Sequence, residues 1–540
     1  MAGLPAEKSP WPPPQLKDVL HHMDAWDAWY AGDVEKLALH YGRMGPIIGG
    51  ALDHFTTKPG LIGRLQRWFH GQPNTGTYNT KLHVPIASDL CQAGADLLFA
   101  EPPTFTVDTN GGKNIRTQDR LNDLGDDTLH GVLAESAEIG GALGGSYLRV
   151  TWDRRVVPDR PFLTCVHADA ALPEFTWGRL SAVTFWRVVK RDDKAVWRHV
   201  ERHELDAQGN GIILHGLYEG EDGNLGRNVP FNEAQATADL AGLVNEESII
   251  STESPGLAVV YVPNQRPQRR WRKDPIGCNL GRSTLDGVEH LMDALDETYS
   301  SWMRDIRLGK ARVFATKDLL TDLGAGKGST FDADQEIFTA LNTPPGSLNP
   351  NGTNGAASSS LVAQQFAIRV TEHQGTANQL LEDILRTAGF SSQTFGIAAD
   401  SARASNLTAT EVQARERRSF MTRDRMIRLW ESPTSQIVRK LLAVDQAIFR
   451  TPGVTAQLPN VEFKDSVQES QITLAQTAQA LSAARAASTQ TLVQLIHPDW
   501  DDTQVTQEVD RIRQDEAATM PHVPDPSTLT AAERFSGFGA

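Results

Sequence analysis

"GRSTLDGVEHLMDALDETYSSWMRDI", Gly281 to Ile306, is the stretch on which the fold turns. Its apolar residues, Leu285, Val288, Met292, Leu295, Tyr299, Trp302 and Ile306, recur in alternating steps of three and four. That spacing lays one apolar stripe along a helix. Ser283 is a candidate N-cap, with Asp286 in a capping-box-like position after it. A helix from Ser283 to Leu308 spans roughly 39 Å at about 1.5 Å per residue, which is long for a globular protein. The segment leading into it, "NQRPQRRWRKDPIGCNLGRS", marks a change of character. Before it the chain mixes helix and strand patterns; after it long helical patterns alternate with loops.

Upstream, "QLKDVLHHMDAWDAWYAG" and "DVEKLALHYG" read as short helices. "GTYNTKLHVPIASDLCQAGADLLFAEPPTFTVD" gives a helix and then a strand, with Pro102 and Pro103 forcing the break. "DDTLHGVLAESAEIGGALGGSYLRVTWD" repeats the plan: a helix runs into glycines, and "SYLRVTW" alternates as a half-buried strand does. From about Pro161 to Val262 the pattern is mostly β, with strands expected in "AVTFWRVVKR", "AVWRHVERHEL", "GIILHGLYEG" and "GLAVVYV". The proline-rich start, "MAGLPAEKSPWPPP", lacks the basic and apolar regions of a signal peptide and reads as disordered or extended.

Downstream, "ARVFAT" is a short strand candidate and "PPGSLNPNGTNGAASSS" a low-complexity loop. A second long helix is expected from Leu361 to Ala388, ended by Gly389. "FSSQTFGIAADSARASNLTAT" is a polar loop. A third long helix starts near Thr410 and runs towards Phe449, with Pro433 expected to kink or interrupt it. The tail holds two or three helices, one capped by Ser488 and ended by Pro498, and about the last twenty residues read as disordered.

The chain has 540 residues, 40% hydrophobic and 22% charged, in the ordinary globular range. Its net charge of −15 suits a protein that does not grip nucleic acid by the phosphates. Cys91, Cys165 and Cys278 are far apart and form no CxxC pair, so neither a disulfide framework nor a cysteine zinc site is expected, and a reducing cytoplasm fits the synthesis. No apolar run approaches the length of a membrane span.

Several motifs fail on inspection. "GAGKGST", Gly324 to Thr330, resembles a phosphate loop, which requires Gly, four residues, then Gly-Lys-Ser/Thr. With Gly326 and Lys327 as the Gly-Lys pair, Thr321 takes the first glycine slot and Gly328 the slot of the magnesium-binding hydroxyl. "RHELDA" offers His203 and Glu204, but Ala207 stands where a zinc peptidase needs its second histidine, and a surface strand end is expected. His497 in "IHPDWDD" reads as a helix stop. There is no GxSxG elbow. No catalytic, cofactor or metal site is expected. Two basic clusters remain: Arg266, Arg269, Arg270, Arg272 and Lys273, and, on the third long helix, Arg415, Arg417, Arg418, Arg423, Arg425 and Arg428. Arg415, Arg418 and Arg425 fall near one helix face and Arg417 and Arg428 near another, a spread that favours pairing between subunits over one DNA-binding stripe.

The order of these segments resembles the portal proteins of tailed double-stranded-DNA phages, from about residue 80 to 518. "LHVPIASDLCQAGADLLFAEPPTFTVD" and "AEIGGALGGSYLRVTWD" look like wing segments, and the opening stretch looks like the first stem helix. "TANQLLEDILRTAGFSS" and "ADSARASNLTATE" resemble the second stem helix and tunnel loop, and "ARAASTQTLVQLIHPDWDDTQVTQEVDRIRQDEA" resembles the crown. The resemblance implies an α+β portal fold with a mixed wing, long stem helices, a small α/β clip and a helical crown. Its expected parts are an N-terminal extension and wing helices (1–80), wing (81–281), first stem helix (282–308), clip (309–360), second stem helix (361–390), tunnel loop (391–409), long helix returning to the wing (410–460), crown (461–518) and disordered tail (519–540).

It further implies a non-enzymatic homo-oligomer, a ring of twelve at one capsid vertex of the virion, assembled in the host cytoplasm. Double-stranded DNA passes through such a ring without sequence specificity. The implied partners are the terminase large subunit, a head-completion adaptor, and major capsid and scaffolding proteins; no membrane is implied. Arg403, Ser405 and Asn406 are then DNA-proximal candidates, Lys317 and Lys327 are clip contacts with terminase or adaptor, and Arg415, Arg417, Arg418 and Arg425 meet neighbouring subunits or DNA. The rival readings are a minor structural head protein or scaffold-like component and, further off, a DNA-packaging ATPase. The 12 tryptophans and the β-rich segment argue against a scaffold, and the incomplete phosphate loop argues against an ATPase.

Overall fold

The computed structural model describes residues 3–43, 82–108, 114–308 apart from 126 and 246, 312–315, 321–322, 329–330, 361–364, 368–396, 409–464, 471–497, 500 and 502–519. The chain is a mixed α and β protein in two compact units, Met1–Lys464 and Asp465–Ala540.

The first unit begins with an extended lead-in, so the proline-rich start is extended rather than disordered. Trp11 is buried with Val200, Tyr218 and Leu225, and Leu225 N–H donates to Ser9 O at 2.9 Å. Helices α1 (Lys17–Ala31) and α2 (Val34–Arg43) follow, as their patterns predict. The next helix is α3 (Ile86–Phe99). A short strand, β1 (Thr104–Thr106), precedes α4 (Ile115–Leu124) and α5 (Asp127–Leu143). Helix α5 ends at Gly144, whose φ of +89° no β-branched or bulky residue adopts cheaply. A Cβ on Gly145 would sit 2.3 Å from the Tyr261 hydroxyl. The glycine pair therefore lets the backbone turn sharply into β2 (Gly145–Thr151), against which β3 (Phe162–His167) pairs.

The β-rich segment is a six-stranded antiparallel sheet. In order along the chain its strands are β4 (Ala171–Thr176), β5 (Arg179–Arg191), β6 (Val196–Leu205), β7 (Asn210–Gly220), β8 (Arg227–Val229) and β9 (Ile249–Pro255). Strand β10 (Val259–Pro263) leaves this sheet and pairs with β2, giving a three-stranded sheet ordered β10-β2-β3.

One expectation fails here. "RHE" is not a surface strand end: Arg202, His203 and Glu204 are all buried. Strand β6 is an inner strand with β5 and β7 on its two edges, its side chains are buried on both faces almost throughout, and its charges are paired instead of solvated. Arg202 binds Glu204 at 2.8 Å and Glu174 at 2.6 Å, and His203 binds Glu201 at 2.7 Å. The turn expected after it is present, with Gly209 at φ +85°.

Past the sheets lies α6 (Glu289–Leu308). It starts later than the N-cap reading of Ser283 predicts. The Ser283 hydroxyl accepts from Leu285 N–H and donates to Ala142 O, which ties the approach to the end of α5. Asp286 is taken by Arg270, at 2.6 Å. Gly287, at φ +92°, then interrupts any helix before Glu289. The apolar stripe survives the change: Leu285, Val288, Met292 and Leu295 are all fully buried.

Strands β11 (Arg312–Ala315), β12 (Thr321–Asp322), β13 (Ser329–Thr330) and β14 (Leu361–Gln364) follow, β11 pairing with β14 and β12 with β13. Helix α7 (Val370–Ala388) begins after β14, not at Leu361, and ends at Gly389 in the left-handed region as expected. Helix α8 (Ala409–Val444) runs uninterrupted through Pro433 and passes into a π-helical turn, Asp445–Phe449. Strand β15 (Asn460–Glu462) returns to pair with β1.

Two large apolar cores hold most of this unit. One joins α1, α3, α5, the start of α6 and α7 through Met23, Trp26, Leu90, Met292 and Ile384. The other sets α8 on β2, β3 and α4 through Trp430, Ile437, Leu441, Val150 and Leu121. The second unit contains α9 (Gln471–Ala483), α10 (Thr489–Ile496) and α11 (Asp502–Thr519). Ser488 caps α10, accepting from Thr491 N–H, and Val493, Val505 and Val509 make a small core.

Candidate functional site

The candidate site is the pair α6 and α7, the loops at their ends, and the basic start of α8. Helix α6 leads into β11, and β14 leads into α7. Because β11 and β14 pair antiparallel, Arg312 opposite Gln364, the chain between them leaves and returns at the same place. Polar contacts clamp the two helices there. Asp305, near the end of α6, accepts from Arg369 at 3.0 Å and binds the His373 ring at 3.0 Å. His373 and Arg369 hold its carboxyl below the usual carboxylate range. Trp302 stacks on His373 at 6.1 Å and 9°.

Towards its start, α6 is bound to the rest of the unit. The Trp26 indole donates to Glu289 at 3.0 Å, and buried Asp296 takes the His83 ring and Val84 N–H, each at 2.9 Å.

At the other end of α7 the chain is pinned to α8. Ser391 N–H donates to Ser419 Oγ at 2.9 Å, and Thr422 Oγ1 donates to Gly389 O at 2.6 Å. Thr394 and Ser419 hydroxyls meet at 2.7 Å. The expected tunnel loop therefore starts as a short 3₁₀ turn, Ser392–Phe395, fixed to the unit.

The basic residues separate by role. Arg418 donates to Arg386 O in the last turn of α7, where a cation also meets the negative end of the helix dipole. Arg423 is buried and donates to Leu97 O at 2.7 Å. Arg417, Arg425 and Arg428 are exposed. Helix α8 includes Arg415 in its first turns. In the earlier cluster, Arg270 pairs with Asp286 and Glu289, and Arg266 donates to Asn279 O at 2.7 Å, so both are spent inside the chain. Lys317, Lys327, Arg403, Ser405 and Asn406 lie outside the described residues.

What sequence reasoning missed is the set of polar clamps. Asp296 and Asp305 on α6 take partners far away in the chain, His83 and His373, and only the polar residues beside the apolar stripe hinted at them.

No curated protein matches the chain. Among solved structures, the chain is similar to one described as "Neck of native GTA particle computed with C12 symmetry", with 11% identity, 77% of this chain and 90% of that one covered, and a TM-score of 0.35. It is similar also to one from "Virion of native gene transfer agent (GTA) particle", with 11% identity, 81% and 99% coverage, and a TM-score of 0.36. The assignment rests on neither of these. The family model described as "Phage portal protein, SPP1 Gp6-like" matches residues 16–522, which takes in both long helices, everything between them and the basic helix that follows. The chain belongs to the phage portal protein family.

Proposed function

We propose that twelve copies of this chain close head to tail into a ring at one capsid vertex, and that the genome enters and leaves through its channel. The match over residues 16–522 carries this reading, since it covers every segment such a ring requires. In it, α6 and α7 are the stem, residues 309–360 the clip, 391–409 the tunnel loop, the sheets and their helices the wing, and the second unit the crown. Antiparallel pairing of β11 with β14 supports the clip assignment, because it makes the intervening chain an excursion from the end of a helix pair.

A conduit works best when it does not hold its cargo. Each phosphate neutralised by Lys or Arg adds affinity, and so friction. A net charge of −15 keeps that term small. Arg403, Ser405 and Asn406 then supply sparse contacts to DNA, and Lys317 and Lys327 contact the terminase or the adaptor that replaces it. Exposed Arg417 and Arg425 are placed to pair with acidic groups of the next subunit. The protein carries no catalytic centre of its own in this reading; the terminase supplies the energy. Head-to-tail contacts that close leave no free interface.

The test is to shorten the loop within residues 397–408, past the turn pinned to Ser419. The expected result is intact rings and particles that package or retain little DNA. Loss of ring assembly with no specific packaging defect would remove the loop from the channel.

A further inference from the structure

Away from the stem, strand β3 packs on α5, and three side chains with metal-binding chemistry meet there. Cys165 and His167 are two residues apart on β3 and so project from the same face of the strand. Glu135 faces them from α5. The cysteine sulfur, a histidine ring nitrogen and a glutamate oxygen all lie within 4.8 Å of one another. Bonds of about 2.0–2.3 Å to a tetrahedral ion put such donors roughly 3.3–3.8 Å apart. Movements of about 1 Å at the ends of these side chains close the difference, which small adjustments within rotamer wells allow.

Two further observations point the same way. Among the described residues, neither Glu135 nor His167 commits its side chain to a hydrogen bond or an ion pair, so their donor atoms are available. Cys165 and His167 also open onto a cavity of about 760 Å³ between the two sheets, which gives an ion and water a route in.

We propose that Glu135, Cys165 and His167 bind one divalent transition-metal ion, zinc fitting best, which fastens α5 to β3. The thiolate and imidazole select against calcium and magnesium, which take oxygen ligands. Three protein ligands leave a fourth position for water. The proposal is independent of the ring.

Cobalt titration of the full-length protein, stripped with chelator, tests it directly. The background carries Cys278→Ala, since Cys278 is exposed and could bind metal by itself. The expected result is one cobalt per chain with a thiolate-to-cobalt charge-transfer band, displaced by zinc. Cys165→Ala loses the band. Glu135→Gln and His167→Gln, both at least partly exposed positions, keep the fold and weaken zinc by at least roughly 10-fold. They decide the matter if Cys165→Ala does not fold. No band in the background protein, a band that survives Cys165→Ala, or unchanged zinc affinity in both other variants would overturn the proposal.

Discussion

His199 and His215 stack ring on ring across β6 and β7, at 5.3 Å and 5°, with Nε2 and Nδ1 3.1 Å apart. Burial pushes His199 down to about 3 and His215 to about 4, from an ordinary 6.5. Both are therefore neutral in the folded protein where an unfolded chain would begin to bind protons. Stability from this pair is complete above pH about 6.5 and drains away as pH falls towards 4, because only the unfolded state gains protons in that window. Neighbouring Glu201 adds loss of the same sign at still lower pH: burial raises its carboxyl, but Arg149 and His203 outweigh that and hold it well below the usual range. Melting temperature should fall between about pH 7 and pH 5, and His199→Gln with His215→Gln should flatten the slope. A melting temperature that ignores pH in the parent protein would contradict this.

Lys440 offers a second test on one residue. Its ammonium is buried and donates to Thr252 Oγ1, Ser254 Oγ and the carbonyls of Ser254, Pro255 and Gly256, at 2.7 to 3.2 Å. Burial lowers it to about 8, while these acceptors favour the charged form. Lys440→Met should cost roughly 2–3 kcal/mol, as buried acceptors lose a charged donor. Thermal unfolding reads this, and an unchanged midpoint would show that the cradle contributes nothing. Neither group was legible beforehand: Lys440 sits in a helix pattern where lysine is ordinary, and its partners come from β9 and the turn after it.

At the scale of elements, α6 shows what periodicity can and cannot say. The steps of three and four identified the buried face correctly, because burial follows the stripe whether the backbone there is helix or turn. They could not locate the start, which a left-handed glycine and a serine turned towards α5 decide. A Cβ on Gly287 would meet nothing within 4 Å, so any cost of adding one is conformational. Gly287→Ala should therefore lower stability by about 1–2 kcal/mol through the positive φ alone. No change would mean that the approach to α6 rearranges freely. Helix α8 fails in the opposite direction. Pro433 predicted a kink or an interruption; the helix is not interrupted, and Ile437, Val438, Leu441 and Leu442 beyond the proline are buried in the second core. Tertiary burial there outweighs the proline's lost hydrogen bond. Strands β5, β6, β7 and β10 were legible because alternating or continuous apolar runs stood between clear turn residues. That β6 lies in the middle of its sheet was not, since strand order is a long-range property.

For the whole molecule, the succession of elements carried more than any motif. "GAGKGST" has the look of a nucleotide site and the wrong spacing for one, whereas the order wing, helix, insertion, helix, loop, helix is distinctive. As a phage portal protein, the chain forms a ring at a capsid vertex that conducts the genome. Of the candidate residues, Arg418 is accounted for by its place at the end of α7. Arg417 and Arg425 remain exposed on α8, available for a neighbour.

The most direct measurement is electron microscopy of the purified full-length protein. The account predicts ring-shaped top views with a central hole and twelve repeats. Persistent monomers or open filaments would contradict it.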